Sequence, residues 1–228
     1  MDGGALDLIL AGDAQLYAIV RLSLLITLAA TLSAAVFGLP LGAAVALVGF
    51  PGRNVVIVLL NGFMGLPPVV VGLMVFLALS RSGPLGDLGL LFTPAAMVIA
   101  QTLLITPIIA ALTRQVIEDL WAEYREEFTA MQVAPLLRVR ALLWDARFSL
   151  VTILLAGFGR AAAEVGAVMI VGGNIDGFTR VMTTAIALET SKGNLALAIG
   201  LGVILIALIL AMNALAWSLR QWAERHAG

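Results

Sequence analysis

The chain has 228 residues, 61% of them hydrophobic and 12% charged, and its mean hydropathy is +1.07. A soluble domain carries roughly a quarter of its residues as charges, so these values exclude one and require an integral membrane protein. Thirteen Lys and Arg against fourteen Asp and Glu give a net charge of −1, which leaves no global field for nucleic acid.

The first residues, ahead of Arg21, include Asp2, Asp7 and Asp13 and no basic side chain. A secretory signal peptide needs a positive region before its apolar core, so the N-terminus is expected to be retained. Residues Leu16 to Val48 form one apolar run interrupted only by Gly38, Pro40 and Gly42. At ~1.5 Å per residue it exceeds the ~30 Å of a bilayer core, and it reads as a single tilted or kinked span. A short turn, Gly49 to Asn54, follows.

A second span runs from about Val55 to Leu79 with Leu66, Pro67 and Pro68 at its middle. Proline removes a backbone donor and clashes with the preceding turn, so a helix break at membrane depth is expected, covered by protein or a watery path. After a loop, Ser80 to Thr93, the third span opens at Pro94, suited to a first helical turn, and continues to about Leu112. Pro107 predicts a second internal break.

From Arg114 to Arg147 the composition changes abruptly, with eleven charged residues in 34. Val116, Leu120, Tyr124 and Phe128 recur at every fourth position, which predicts helix. Within it, Glu126 and Glu127 lead into Phe128, Ala130, Met131, Val133 and Ala134, with Arg138 and Arg140 beyond. An amphipathic segment flanked by both signs of charge suits docking into the groove of a soluble partner; a solvated face against lipid headgroups is the alternative.

The fourth span is expected from about Phe148 to Val171. It contains Arg160 and Glu164, four apart and hence on one helix face. A lone charge at the bilayer centre costs about 2.5–3.5 kcal/mol on insertion scales, so the pair faces protein or water. It either neutralises itself locally or lines a path. A Gly-rich polar stretch, Gly172 to Asn194, comes next, with Asn174, Thr179 and Arg180 in a turn that is either a plain exit from the membrane or an anion-binding nest. Thr183 and Thr184 are read as re-entrant lining or as ordinary packing. A fifth span, about Leu195 to Leu215, ends in an interfacial anchor of Trp217, Arg220, Trp222 and Arg225.

Eight basic residues, at 53, 114, 125, 138, 140, 147, 220 and 225, fall on one side of these five spans. That bias puts the 114–147 segment and the C-terminus in the cytoplasm and the N-terminus outside. The inventory also excludes chemistries. There is no Cys, the single His is His226, and the single Lys is Lys192, preceded by Ser191 rather than by the Gly of a Walker A motif. No catalytic or metal site and no cofactor is expected, and any ATP must be bound by another chain.

The run from Gly157 to Ile175, GFGRAAAEVGAVMIVGGNI, resembles the signature of permease subunits of oxyanion ABC importers for molybdate, sulfate and tungstate. Its continuation from Thr179 to Asn194, TRVMTTAIALETSKGN, is similar to the tungstate branch, and Gly65 to Gly72 and Ser82 to Gly86 match earlier parts of the family. The similarity covers about Leu22 to Asn213. The resemblance implies an all-α type I ABC importer permease core with five transmembrane helices, a single transmembrane domain over 1–228 with its coupling loop at 114–147.

It further implies a homodimeric pore in the inner membrane, a homodimer of separate ATP-binding subunits, an extracytoplasmic oxyanion-binding protein, and tungstate or molybdate as cargo. In the family the loop inserts into the ATPase through a Glu-Ala-Ala motif with a later Gly and Leu-Pro. Laid from Glu127, Phe128 and Thr129 stand at the alanines, Val133 at the glycine, and Asp145 and Ala146 at Leu-Pro. A path is expected past Pro67, Pro68, Arg160, Glu164, Asn174, Thr179, Arg180, Thr183 and Thr184. The rival from another class is a self-contained secondary transporter, which usually carries inverted repeats; Leu66-Pro67-Pro68 has no counterpart in the second half.

Overall fold

The computed structural model describes residues 13–226, with the backbone alone at 219, 220 and 222–226. The expectations for Asp2 and Asp7, and for the Arg220, Trp222 and Arg225 side chains, lie outside what is described. Among the described residues there are helices and no strands.

Helix α1 (Ala14–Leu47) is one continuous element, started by Asp13, whose carboxylate accepts the Leu16 N–H at 2.8 Å. Thirty-four residues make about 51 Å of helix. Pro40 lies inside it without ending it. Small residues, Ala30, Ala34, Gly38 and Gly42, make a buried seam along α1, against which α4 (Pro94–Ala130) packs for much of its length. The seam is tightest at Gly42, where a Cβ would stand 2.4 Å from the Ala110 carbonyl oxygen. Removing side chains lets backbones approach in lipid, where there is no hydrophobic force between helices.

The second span is broken where its prolines require. Helix α2 (Arg53–Phe63) stops, and α3 (Pro68–Leu79) restarts at a bend of 102°. In α4, by contrast, Pro107 causes no break. The helix continues to Ala130 with Pro107 buried under its neighbours, and this packing tolerates the one lost donor. The charged segment therefore begins as a rigid extension of the third span rather than as a separate loop.

A turn at 131–134 reverses the chain into α5 (Pro135–Asp145), which meets α6 (Arg147–Ala162) at 68°. The fourth span is not one helix. It stops at Ala162 and restarts as the short α7 (Gly166–Gly172), because Gly157, Gly159 and Gly166 surround a segment whose Glu164 side chain caps the new start. The polar stretch after it holds an unforeseen helix, α8 (Met182–Lys192), before α9 (Leu195–His226). Among the described residues three helices, α1, α4 and α9, are long and apolar enough to cross a membrane alone, and the count is five if each of the two bent pairs, α2–α3 and α5–α6, is one span.

Candidate functional site

The break between α6 and α7 gathers the intramembrane polar groups. Glu164 is 3% exposed; one carboxylate oxygen accepts Arg160 Nη1 at 2.9 Å and the other accepts the Ala167 N–H at 3.1 Å. Arg160 remains 37% exposed. The pair is thus both a local ion pair and a cap, with the guanidinium left on an open face. Opposite lies the other break: a Cβ on Gly166 would touch Val69 Cγ2 at 2.8 Å, so the start of α7 sits on the start of α3, beside Pro67 and Pro68. Two interrupted helices meet at membrane depth.

Three hydroxyls of the expected path are engaged within the chain. Thr183 donates to the Glu164 carbonyl at 2.7 Å, and Thr179 donates to the Gly172 carbonyl at 2.6 Å. Thr184 accepts the Val181 N–H at 3.1 Å, starting α8. Asn174, in the left-handed region at φ 51°, reaches the Thr184 carbonyl at 3.4 Å. Thr179, Thr184 and Asn174 fasten the turn at 173–181 and the start of α8, while Thr183 ties α8 to Glu164, the partner of Arg160. Arg180 pairs with Asp176 at 2.9 Å.

One participant was not among the expected residues. Gln101, buried on α4, donates Nε2 at 3.0 Å to the Ala161 carbonyl, which also accepts the Glu164 N–H at 3.1 Å in the turn that ends α6. It is the one amide in the apolar stretch from Pro94 to Leu112, a signal available in the sequence. Glu189 is a second. Its carboxylate accepts Lys192 Nζ and Asn194 Nδ2, each at 3.0 Å, and so clamps the α8–α9 corner. Lys192 first and Asn194 also hold this carboxyl below the usual carboxylate range, against the opposing effect of burial.

The expected docking residues divide into two groups. Phe128 turns inward and stacks on Trp121 at 6.3 Å and against Tyr124 at 6.1 Å between ring centroids. Arg138 donates Nε to the Val133 carbonyl at 2.6 Å, with its guanidinium 5.7 Å from the Trp121 ring. Arg138 thus ties α5 to α4, while the helical period of α4 sets Phe128 beside Trp121 and Tyr124 on the same helix. Asp145, at the end of α5, raises the Tyr124 pKa through its charge first of all and also by a hydrogen bond. Exposed instead are Glu126, Glu127, Ala130, Met131, Ala134 and Arg140. Leu136, 81% exposed, extends this surface with Leu137 and Trp144, none of which the motif alignment singled out.

At the start of this hairpin, Glu118 bridges Arg53 and Arg114. The turn after span one and the base of the charged segment therefore lie at the same end of the molecule.

Residues 38–225 match the family described as binding-protein-dependent transport system inner membrane component. A probable anion ABC transporter permease protein of Haloferax volcanii is 45% identical over 210 residues, 88% of each chain. The tungstate uptake system permease protein TupB of Peptoclostridium acidaminophilum is 38% identical over 217 residues, 95% of each chain. Among solved structures, an inward-facing conformation of the MetNI methionine ABC transporter superposes with a TM-score of 0.73 at 18% identity, covering 88% of this chain and 93% of that one. That likeness is one of fold.

Proposed function

The chain belongs to the family of binding-protein-dependent transport system inner membrane components, and we propose that it is the tungstate permease of an ABC importer, working as a homodimer on separate ATPase subunits. Membership makes it a multi-pass transport component and not a catalytic subunit, and the relatives named as anion and tungstate permeases support the oxyanion type. The observation that carries the choice of cargo is the 38% identity, across 95% of both chains, to a protein named as a tungstate uptake permease. Molybdate is the second candidate.

The whole chain is one transmembrane domain, with 114–147 as its coupling segment. The ATPase surface consists of Glu126, Glu127, Ala130, Met131, Ala134 and Arg140, widened by Leu136, Leu137 and Trp144. Phe128, Val133 and Arg138 stand behind it. The path runs past Pro67, Pro68 and Arg160, where two broken spans meet; Glu164 fixes Arg160 there, and Asn174, Thr179, Arg180, Thr183 and Thr184 build the turn above. Selectivity between dianions of similar shape resides in the binding protein that delivers the ion. The 114–147 segment and the C-terminus face the cytoplasm of the inner membrane.

Reconstituted with its ATPase and binding protein, the permease accumulates tungstate in an ATP-dependent manner that excess sulfate barely competes. Efficient uptake of an amino acid or a metal cation in its place would overturn the assignment.

A further inference from the structure

The first turns of α1 and the turn at 173–181 enclose a cleft of about 470 Å³, lined by Tyr17, Arg21, Leu22, Leu25, Asp176 and Arg180 among others. It lies at the end of α1 opposite Arg53 and Glu118. Two guanidinium groups reach it. Arg180 is 12% exposed and gives Nη1 to Asp176, while its Nε is buried with no hydrogen-bond partner. That Nε is closed to the cleft, but the exposed Arg21 guanidinium, with no ion pair among the described residues, favours an anionic acceptor.

Charge and shape narrow the acceptor. Arg21 and Arg180 against Asp176 leave one positive charge on the lining, which balances one negative charge and leaves a dianion half uncompensated. Beneath the guanidinium groups the cleft turns apolar. Leu22 and Leu25 line it, and beyond the cleft Leu28, Leu32 and Val36 continue as exposed residues at intervals of three, four and four from Leu25, one stripe down α1 below Arg21. Arg21 sits seven residues into the helix, about 10 Å along it, with Tyr17 one turn above as an interfacial aromatic.

We infer that this cleft binds an anionic phospholipid of the leaflet at the α1 N-terminal end, with its phosphodiester on Arg21 and Arg180 and an acyl chain along Leu25, Leu28 and Leu32. A guanidinium fork suits phosphate oxygens in number and direction. A lipid whose headgroup adds a quaternary ammonium loses the charge balance. The site is independent of which ion the protein carries, so its failure would leave the transport assignment untouched.

The test uses the full-length permease in neutral detergent, titrated with phosphatidylglycerol and followed by native mass spectrometry. Saturable binding is expected, weakened about tenfold by Arg21→Gln, the loss of one charge-assisted contact, and unchanged by Arg125→Gln at the other end. Arg21 is exposed, so its substitution leaves the fold intact; Arg180→Gln weakens binding further. Phosphatidylcholine binds less tightly. Equal binding of both lipids, or equal phosphatidylglycerol binding by the wild type and Arg21→Gln, overturns the proposal. So does displacement of the lipid by millimolar inorganic tungstate or phosphate, which would make the cleft a site for a free oxyanion.

Discussion

The Glu164 carboxylate accepts the backbone N–H of Ala167 at 3.1 Å, so this intramembrane acid caps one helix while pairing with Arg160 on the helix before it. The two roles separate by substitution. Glu164→Gln keeps an oxygen for Ala167 and loses the charge; Glu164→Leu loses both. Removing one partner of a buried pair costs about 3–5 kcal/mol, and the partial exposure of Arg160 lowers that to about 1–2 kcal/mol for Gln. The lost cap adds about 1 kcal/mol for Leu. Arg160→Leu together with Glu164→Leu is milder than Glu164→Leu alone. Denaturant titration in detergent reads all three variants, and equal losses for Gln and Leu would refute the capping role.

Two glycines of the α1–α4 crossing, with Gly159 on α6 as a control, make a graded prediction. At Gly42 a Cβ meets the Ala110 carbonyl at 2.4 Å, backbone that cannot yield, and Gly42→Ala should cost about 1–3 kcal/mol by overpacking. Gly38→Ala meets Ile109 Cγ2 at 2.9 Å, Ile109 Cβ at 3.0 Å and the Thr106 carbonyl oxygen at 3.2 Å, a shallower clash than at Gly42, and costs less. Gly159 has nothing within 4 Å, so Gly159→Ala is neutral or gains up to about 1 kcal/mol of helix propensity. Thermal melts of the three purified variants should fall in that order.

These features were unequally legible in the sequence. Composition and apolar run length place the spans, because bilayer thickness imposes itself on every residue of a helix. Pro67-Pro68 announces its break, since two successive prolines at membrane depth cannot both be absorbed. Pro107 misleads for the converse reason: one proline between packed neighbours loses one hydrogen bond and the helix runs on. The break at Ala163 to Val165 carries no proline and depends on Glu164 and Gln101, groups about sixty residues apart in the sequence. Phe128 follows Trp121 by seven residues and Tyr124 by four on one helix, so its ring contacts are legible in the spacing, whereas the exposure of Leu136, Leu137 and Trp144 depends on how α5 turns back on α4.

Those ring contacts change what a coupling experiment should show. Phe128→Asp replaces a half-buried ring beside Trp121 and Tyr124 with a charge, lowering stability by about 1–3 kcal/mol. Leu136→Asp and Trp144→Asp alter an exposed face, so insertion and thermal stability stay near wild type while tungstate uptake falls about tenfold or more and ATP hydrolysis continues. Uptake assays beside melting curves distinguish the two behaviours. Normal uptake by Leu136→Asp and Trp144→Asp would move the docking surface to the exposed side of α4 between Arg114 and Tyr124.

Glu189 gives the α8–α9 corner an acid limit. Lys192 and Asn194 favour its ionised form, so its pKa in the fold lies below the unfolded value near 4.5. A depressed carboxyl contributes stability above the unfolded pKa and loses it as pH falls through the folded one. Stability should therefore decline below about pH 4.5, and Glu189→Gln should remove that part of the decline while lowering stability at pH 7. An identical pH profile in the variant would show that the clamp is not the titrating group.

The ion pairs also make topology testable, because this chain has no cysteine of its own. Glu118 holds Arg53 and Arg114 together at one end of the bundle, and Arg21 and Arg180 line a cleft at the other. The basic residues favour the cytoplasm for the first end. Single cysteines at Ala122, exposed on the extension of α4, and at Ser191, exposed at the end of α8, should therefore report opposite compartments. An impermeant maleimide should label Ser191→Cys in intact cells and Ala122→Cys only after the membrane is opened. Labelling of both from the same side would mean that an odd number of spans does not separate them, and the bent α5–α6 segment would then have to enter and leave the membrane on one face.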